Sequence, residues 1–269
     1  MSFISVLFIV LLLGGILYTI GSIFFDIGKY FFEQYSRTAA GLKPLSRERK
    51  AILAKYFFYY NRLSIRDKRK FEYRVNRFLH SKSFVGRGLE ITEEMKVLIS
   101  ASAIKITFGL PFLYLSNFYK IAVYPDAYYS RINQNYHYGE VNPRLGIILL
   151  SWKNFVDGYL DNDDNRNLGI HEMAHALHFE NKIRNDEHNF LHPWLLQKWD
   201  ALAAREMAKI RRGEQHFFRE YAGTNEYEFF AVSMEYFFES PHEYLLHLPE
   251  LFEVKSLLLQ QNPIKLYGL

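Results

Sequence analysis

The sequence predicts an α+β protein, and three observations predict it. Runs with helical apolar spacing occupy both ends of the chain after residue 45, and short apolar runs bounded by turn residues lie between them. A pentapeptide, His171-Glu172-Met173-Ala174-His175, opens the second helical stretch. Helices, then a small sheet, then helices is the order of an α+β domain. With 269 residues, 49% of them hydrophobic and 17% aromatic, the chain is able to bury a substantial core. It has no cysteine, which excludes disulfides, thiolate metal sites and cysteine nucleophiles. The net charge of +4 is concentrated beside the N-terminal apolar run and in Lys209–Arg212, a placement that points to helix-end charge and orientation rather than to nucleic acid.

The first element is apolar throughout. Met1 to Phe25 carries no charged residue, and such a run, as a helix, spans a hydrocarbon core of about 30 Å. Lys29, Arg37, Lys43, Arg47, Arg49, Lys50 and Lys55 follow it, against Asp26, Glu33 and Glu48. The expectation is therefore a transmembrane anchor over 1–28 and a juxtamembrane linker over 29–44, hinged at Gly41-Leu42-Lys43-Pro44. Positive charge on the C-terminal side places the protein as single-pass in a cell membrane, with the remainder, 45–265, in the cytoplasm.

Residues 45–110 are expected to be helical. Ser46 opens a helix that reaches the aromatic run Tyr56–Tyr60, and Ser64-Ile65-Arg66-Asp67 has the form of a capping box for a second helix to about Leu79. Phe71, Val75, Phe78 and Leu79 recur at helical spacing and form its core face. Arg66, Lys68, Arg69 and Lys70 form a solvated face. Thr92, with Glu93 and Glu94 behind it, starts a third helix that Gly109 closes.

From 111 to 265 come the sheet and the later helices. Lys120–Tyr124, Tyr136–Val141 and Gly146–Ser151 read as strands. The polar stretch 161–167 precedes the helix of the pentapeptide, and the stretch from Asn181 to His192 reads as a loop. Pro193 suits the first turn of a helix that stops at Gly213, and Asn225 caps another that ends at Ser240-Pro241.

The pentapeptide carries the chemistry. Residues four apart on a helix differ by about 40° around the axis, so His171 and His175 leave one face as a chelating pair. Glu172 lies beside that face, placed to act on a metal-bound water. Two neutral imidazoles and a general base are the zinc-peptidase arrangement, and a catalytic zinc requires a third protein ligand. A metzincin has Gly at the position of His178 and His at that of Asn181, so that branch is rejected. A thermolysin-like enzyme has a Glu near Trp194, and 190–197 holds no acid. Glu228 and Glu235 remain, seven residues apart on one helical face within an aromatic run, where a carboxylate is expensive to bury unpaired. Glu228 has a competing use as the end of a capping box from Asn225, and Glu235 as a core carboxylate. His178 is a rival ligand, aligned with His171 but one turn beyond His175.

These residues resemble a known family. Ser83-Phe84-Val85-Gly86, Leu89 to Met95, Val123-Tyr124-Pro125-Asp126, Leu150-Ser151-Trp152, the His-Glu-Met-Ala-His helix and Glu228 to Phe238 are similar, in order, to the Mlc titration factor A family of zinc-dependent peptidases, of the gluzincin type. The resemblance runs over roughly residues 45 to 263 and leaves out the apolar N-terminus. It implies a zincin-type catalytic helix bundle, Zn²⁺ as cofactor and Glu228 as third ligand. It implies a tyrosine near the metal at Tyr221, a potential donor to the oxyanion. Glu235 then stands as an outer-shell acid. Position 178 is commonly Asp in the family and is His here, so His178 is an outer-shell candidate at which this chain departs. The expected function is a membrane-anchored zinc metallopeptidase that hydrolyses peptide bonds with Glu172 as general base and Tyr221 as a second catalytic group. Its partners are a peptide or protein substrate and the membrane. The family name adds the alternative of a tethered protein that sequesters a cytoplasmic regulatory partner, with zinc structural or vestigial. Nucleic acid is not an expected partner.

Overall fold

In a computed structural model, the described residues are 14–15, 19–21, 43–110, 113–130, 134–160, 164–183 and 191–267. The helical part begins where side-chain caps dictate. The hydroxyl of Ser46 accepts the Arg49 N–H at 3.3 Å at the start of α1 (Arg47–Tyr56). The helix reaches the aromatic run at Tyr56, breaks at Phe57 and resumes as a short α2 (Phe58–Arg62). Ser64 caps α3 (Ile65–Ser81), accepting from Asp67 N–H at 3.1 Å and donating to its carboxylate at 2.7 Å. Thr92 caps α4 (Glu93–Thr107), accepting from Met95 N–H at 3.2 Å. From Val97 to Thr107 the side chains of α4 are buried, and the helix packs against α1, α3 and the helix of the pentapeptide.

A mixed four-stranded sheet follows, in the order β1 (Ser83–Gly86), β2 (Lys120–Tyr124), β6 (Ile147–Ser151), β5 (Gly139–Asn142). β1, β2 and β6 are parallel, and β5 is antiparallel to β6 with Gly139 opposite Leu150. β1 lies inside 45–110, the part expected to be helical. Its four residues are half-buried, so neither periodicity nor length marks them as a strand. The strand expected over 136–141 is divided. A hairpin of β3 (Tyr128–Ser130) and β4 (Asn135–His137) ends at His137, and β5 begins after Tyr138.

The later helices are α5 (Trp152–Leu160), α6 (Leu168–Ile183), α7 (Pro193–Arg211), α8 (Glu226–Glu239), α9 (Pro241–His247), α10 (Pro249–Leu259) and α11 (Pro263–Tyr267). One contiguous cluster of buried apolar side chains runs from Leu45 to Leu259 and takes in every layer. α6 lies at its centre, against α4 and α5, against β5 and β6, and most extensively against α8.

The expected single-pass membrane location is corrected here. Among the described residues no helix is long and apolar enough to cross a membrane. α4 is apolar but has only fifteen residues and is spent on the protein core. The nineteen-residue α7 carries Lys198, Asp200, Arg205, Glu206, Lys209 and Arg211. A span needs about 20 consecutive residues that are predominantly apolar, and these helices meet one condition without the other. The anchor assigned to 1–28 and the linker assigned to 29–44 lie outside the described residues, apart from 14–15, 19–21 and 43–44.

Candidate metal centre

Two capped helices build the centre. The side-chain oxygen of Asn167 accepts the Ile170 N–H at 3.0 Å, so α6 starts one turn before His171. At the start of α8, Asn225 accepts from the N–H groups of Tyr227 and Glu228 at 2.9 and 3.0 Å. The Asn225 side chain thus fills the cap, and the Glu228 carboxylate is turned to the imidazoles instead. Its Oε2 lies 3.1 Å from His171 Nε2 and 3.5 Å from His175 Nε2, and the two Nε2 atoms are 3.1 Å apart.

This triangle fits a metal ion. Ligand atoms about 2.05 Å from a tetrahedral zinc stand about 3.3 Å from one another. The three side chains form the group of metal-competent donors found among the described residues, with all ligand atoms within 4.8 Å. His171 Nδ1 is engaged by Glu235 Oε1 at 2.7 Å, so the Nε2 lone pair is the one presented to the triangle. Two imidazoles and one carboxylate, with no thiolate, suit zinc.

Glu228 is partly buried. Burial opposes its ionisation, but hydrogen bonds from His171 and His175 outweigh that and hold its carboxyl well below the usual range. Burial acts on His171 in the same disfavouring sense, and the carboxylates of Glu235 and Glu228 overcome it, raising the imidazole to about 10, so that a cation binding at Nε2 would do so by displacing a proton.

Glu172 is 5% exposed and faces the other wall of the cleft. A Cβ on Gly139, the first residue of β5, would lie 2.3 Å from Glu172 Oε1, so only glycine admits the carboxylate against the edge strand. Oε2 is buried and without a hydrogen-bond partner among the described residues. Burial raises the pKa of Glu172, with His171 and His175 pulling the other way. Such a carboxyl is suited to taking up and giving back a proton.

Tyr221 sits on a 3-10 turn (Glu220–Gly223), half exposed, its ring 6.2 Å from that of His171. Burial of its hydroxyl, with the charge and hydrogen bond of Glu228, pushes its pKa up to about 12. The phenol therefore stays protonated and is available as a donor. The open side of the centre is a cavity of about 770 Å³ whose walls include Tyr136, His137, Tyr138, Gly139, Arg219 and Tyr221.

The structure thus brings His171, His175 and Glu228 together, with Glu172, Tyr221 and Glu235 around them. It does not bring His178. That imidazole packs on the rings of Tyr227 and Phe230, at 5.0 and 5.2 Å, beside a separate cavity of about 120 Å³ lined also by Lys182, Asp200 and Glu226. Glu235 holds the outer-shell position beside His171, and two residues that sequence reading passed over support it from behind. Arg219 grips Glu235, and the backbone N–H of Asn167 donates to Glu235 Oε2 at 2.8 Å. Asn167 had a readable signal, an Asn directly before an apolar helical run, and so had Gly139, a glycine inside a strand pattern. Arg219 had none, since an arginine beside Phe217-Phe218 reads equally as surface charge.

An uncharacterized protein of Synechocystis is 27% identical over 228 residues, covering 79% of this chain and 83% of its own. Mlc titration factor A of Klebsiella pneumoniae is 27% identical over 225 residues, 76% of this chain and 82% of its own. Mlc titration factor A of an Escherichia coli O7:K1 strain is 27% identical over 213 residues, 71% and 78% of the two chains. The description Glucose-regulated metallo-peptidase M90 matches residues 32–259, a span that holds the whole of the His171–His175–Glu228 centre, and the chain belongs to that family.

Proposed function

We propose that the protein is a zinc-dependent peptidase in which His171, His175 and Glu228 hold the ion, Glu172 is the general base and Tyr221 the oxyanion donor. The observation that carries the reading is the triangle of donor atoms, 3.1, 3.1 and 3.5 Å on its edges, beside a buried carboxylate with one oxygen unpartnered among the described residues. A zinc ion at this point supplies a Lewis acid that polarises a scissile carbonyl and acidifies water.

The chain's own groups account for the rest. Glu172 accepts the proton of the attacking water and passes it to the departing amine. The Tyr221 hydroxyl, kept protonated by burial and by Glu228, donates to the carbonyl oxygen as negative charge develops there. β5 is an edge strand of the sheet. Its outer rim would then receive an extended peptide in the cleft by strand addition. Glu235 fixes His171 through Nδ1.

Glu172→Gln tests the reading. The variant is expected to retain zinc, measured by elemental analysis of the purified full chain, while peptide hydrolysis falls by about 10²–10⁴-fold or more. Removal of zinc with a chelator should abolish hydrolysis by the wild type, and re-addition should restore it. Hydrolysis by Glu172→Gln at the wild-type rate would overturn the assignment.

The name carried by two of these relatives, Mlc titration factor A, favours a second reading in which the chain holds a regulatory protein. In that case a complex with Mlc should survive both chelation and Glu172→Gln, and no chelator-sensitive cleavage should accompany it.

A further inference from the structure

We propose that Arg219 is the positioning residue of the centre, one guanidinium that fixes both the orientation of His171 and the turn that carries Tyr221. The inference rests on the reading of His171, His175 and Glu228 as metal ligands.

The argument begins at Glu235, which is 1% exposed and accepts four hydrogen bonds. Oε1 takes His171 Nδ1 and Arg219 Nη2, each at 2.7 Å. Oε2 takes the Asn167 N–H at 2.8 Å and Arg219 Nη1 at 3.2 Å. A carboxylate this deep requires a cation. His171 is not that cation once it ligates a metal, because a ligating imidazole is neutral. The compensating charge then falls to Arg219. Its planar fork meets both carboxylate oxygens and so fixes the rotation of the carboxylate, which a point charge does not do. The plane of the carboxylate in turn sets the direction of the Nδ1–H bond, and with it the aim of Nε2.

The same guanidinium ties down one further segment. Nη1 also donates to the carbonyl of Asn165, a residue with left-handed φ of 55° on the approach to α6. The Asn165 side chain is held from the far side by the Ser240 hydroxyl at 2.8 Å. Arg219 itself is the residue before the 3-10 turn, two positions from Tyr221. Arg219 borders the cleft. Both terminal nitrogens nevertheless point inward to Glu235 and Asn165, so it acts through Glu235 rather than on a bound peptide.

Arg211 provides the control. It holds the other end of the same turn, donating from Nε to the Gly223 carbonyl at 2.6 Å and from Nη2 to that of Thr224 at 3.2 Å. Three full-length variants, Arg219→Lys, Arg219→Ala and Arg211→Ala, are compared by competition for zinc with a chromophoric chelator and by thermal unfolding of the metal-free chains. Arg219→Ala is expected to weaken zinc binding about 10–100-fold. Arg219→Lys keeps the charge, folds, and still loses a large part of that affinity for want of the fork. The cobalt-loaded Lys variant should also show a shifted visible absorption band. Arg211→Ala should lower the unfolding temperature with wild-type zinc affinity. If Arg219→Ala fails to fold, the Lys variant decides. Zinc affinity within twofold of wild type in Arg219→Lys would overturn the inference, as would an equal loss in Arg211→Ala, which would mean general loosening. A wild type that binds no zinc would remove the proposed function and this inference with it.

Discussion

His171 and His178 stand seven residues apart on α6, nearly two turns, and each is 9% exposed. Their chemistry is opposite. His171 is driven up to about 10 because the carboxylates of Glu235 and Glu228 overcome its burial. His178 is driven down to about 4, burial dominating and the charges of Lys182, His175 and Lys255 adding to it against Glu226. The backbone and the exposure are the same, so neither explains the contrast. The difference lies in α8. It presents Glu228 and Glu235 to the first turns of α6, and the rings of Tyr227 and Phe230 to the later one. One helix thus carries a histidine of the candidate metal centre and a core histidine, sorted by its neighbour.

The largest expected effect separates the two directly. His171→Ala should leave the purified chain without stoichiometric zinc, since two ligands do not hold a catalytic ion. His178→Phe should keep one zinc per chain. Elemental analysis of both variants decides the matter. Zinc lost from the His178 variant alone would reverse the assignment of the two histidines.

A smaller effect is expected in acid. The folded-state pKa of His178 is depressed, to about 4 from 6.5. The unfolded chain therefore binds the extra proton first, and stability falls as pH drops from 6.5 to 4. The loss amounts to about 3 kcal/mol across that window. His178→Phe removes the titrating group while conserving most of the volume. Denaturant unfolding of the metal-free chains at neutral pH and near pH 4 should show the variant losing about 3 kcal/mol less than wild type between them. Equal acid sensitivity in the two would mean that this imidazole is not held neutral by the fold.

The same contrast shows what was legible in the sequence. Local signals were readable: Ser46, Ser64, Thr92 and Asn225 each cap the helix that their position predicts. Glu228 and Glu235 were readable as a pair, because a carboxylate inside an aromatic run needs a partner. Helical spacing put His178 on the face of His171 but carried no information on which residues α8 would bring to that level. β1 was missed because four half-buried residues become a strand only through pairing with β2, 37 positions later at Ser83–Lys120. The membrane expectation rested on composition in a segment that the described helices do not include. Arg219 was invisible for a related reason, its partners being 16 residues ahead in Glu235 and 54 behind in Asn165.

The smallest effect concerns the departure at position 178 itself. The family resemblance implies Asp there, and His178→Asp tests that position directly. If position 178 supported a ligand, the change would alter zinc affinity by the 10–100-fold typical of an outer-shell partner, about 1.4–2.7 kcal/mol. The structure argues for much less. The outer-shell acceptor of His171 is already Glu235, and side chains of Tyr227 and Phe230 pack against residue 178. The expected change in zinc affinity is therefore below about threefold, less than 0.7 kcal/mol. Stability should drop instead, because a carboxylate in that place is poorly solvated and Lys182 is already committed to Glu226 at 3.0 Å and to the Tyr227 hydroxyl at 2.8 Å. Chelator competition and thermal unfolding on the same sample separate these outcomes. A tenfold or greater change in zinc affinity with unfolding unchanged would show that the two ends of α6 are one site, and the comparison drawn between them would fail.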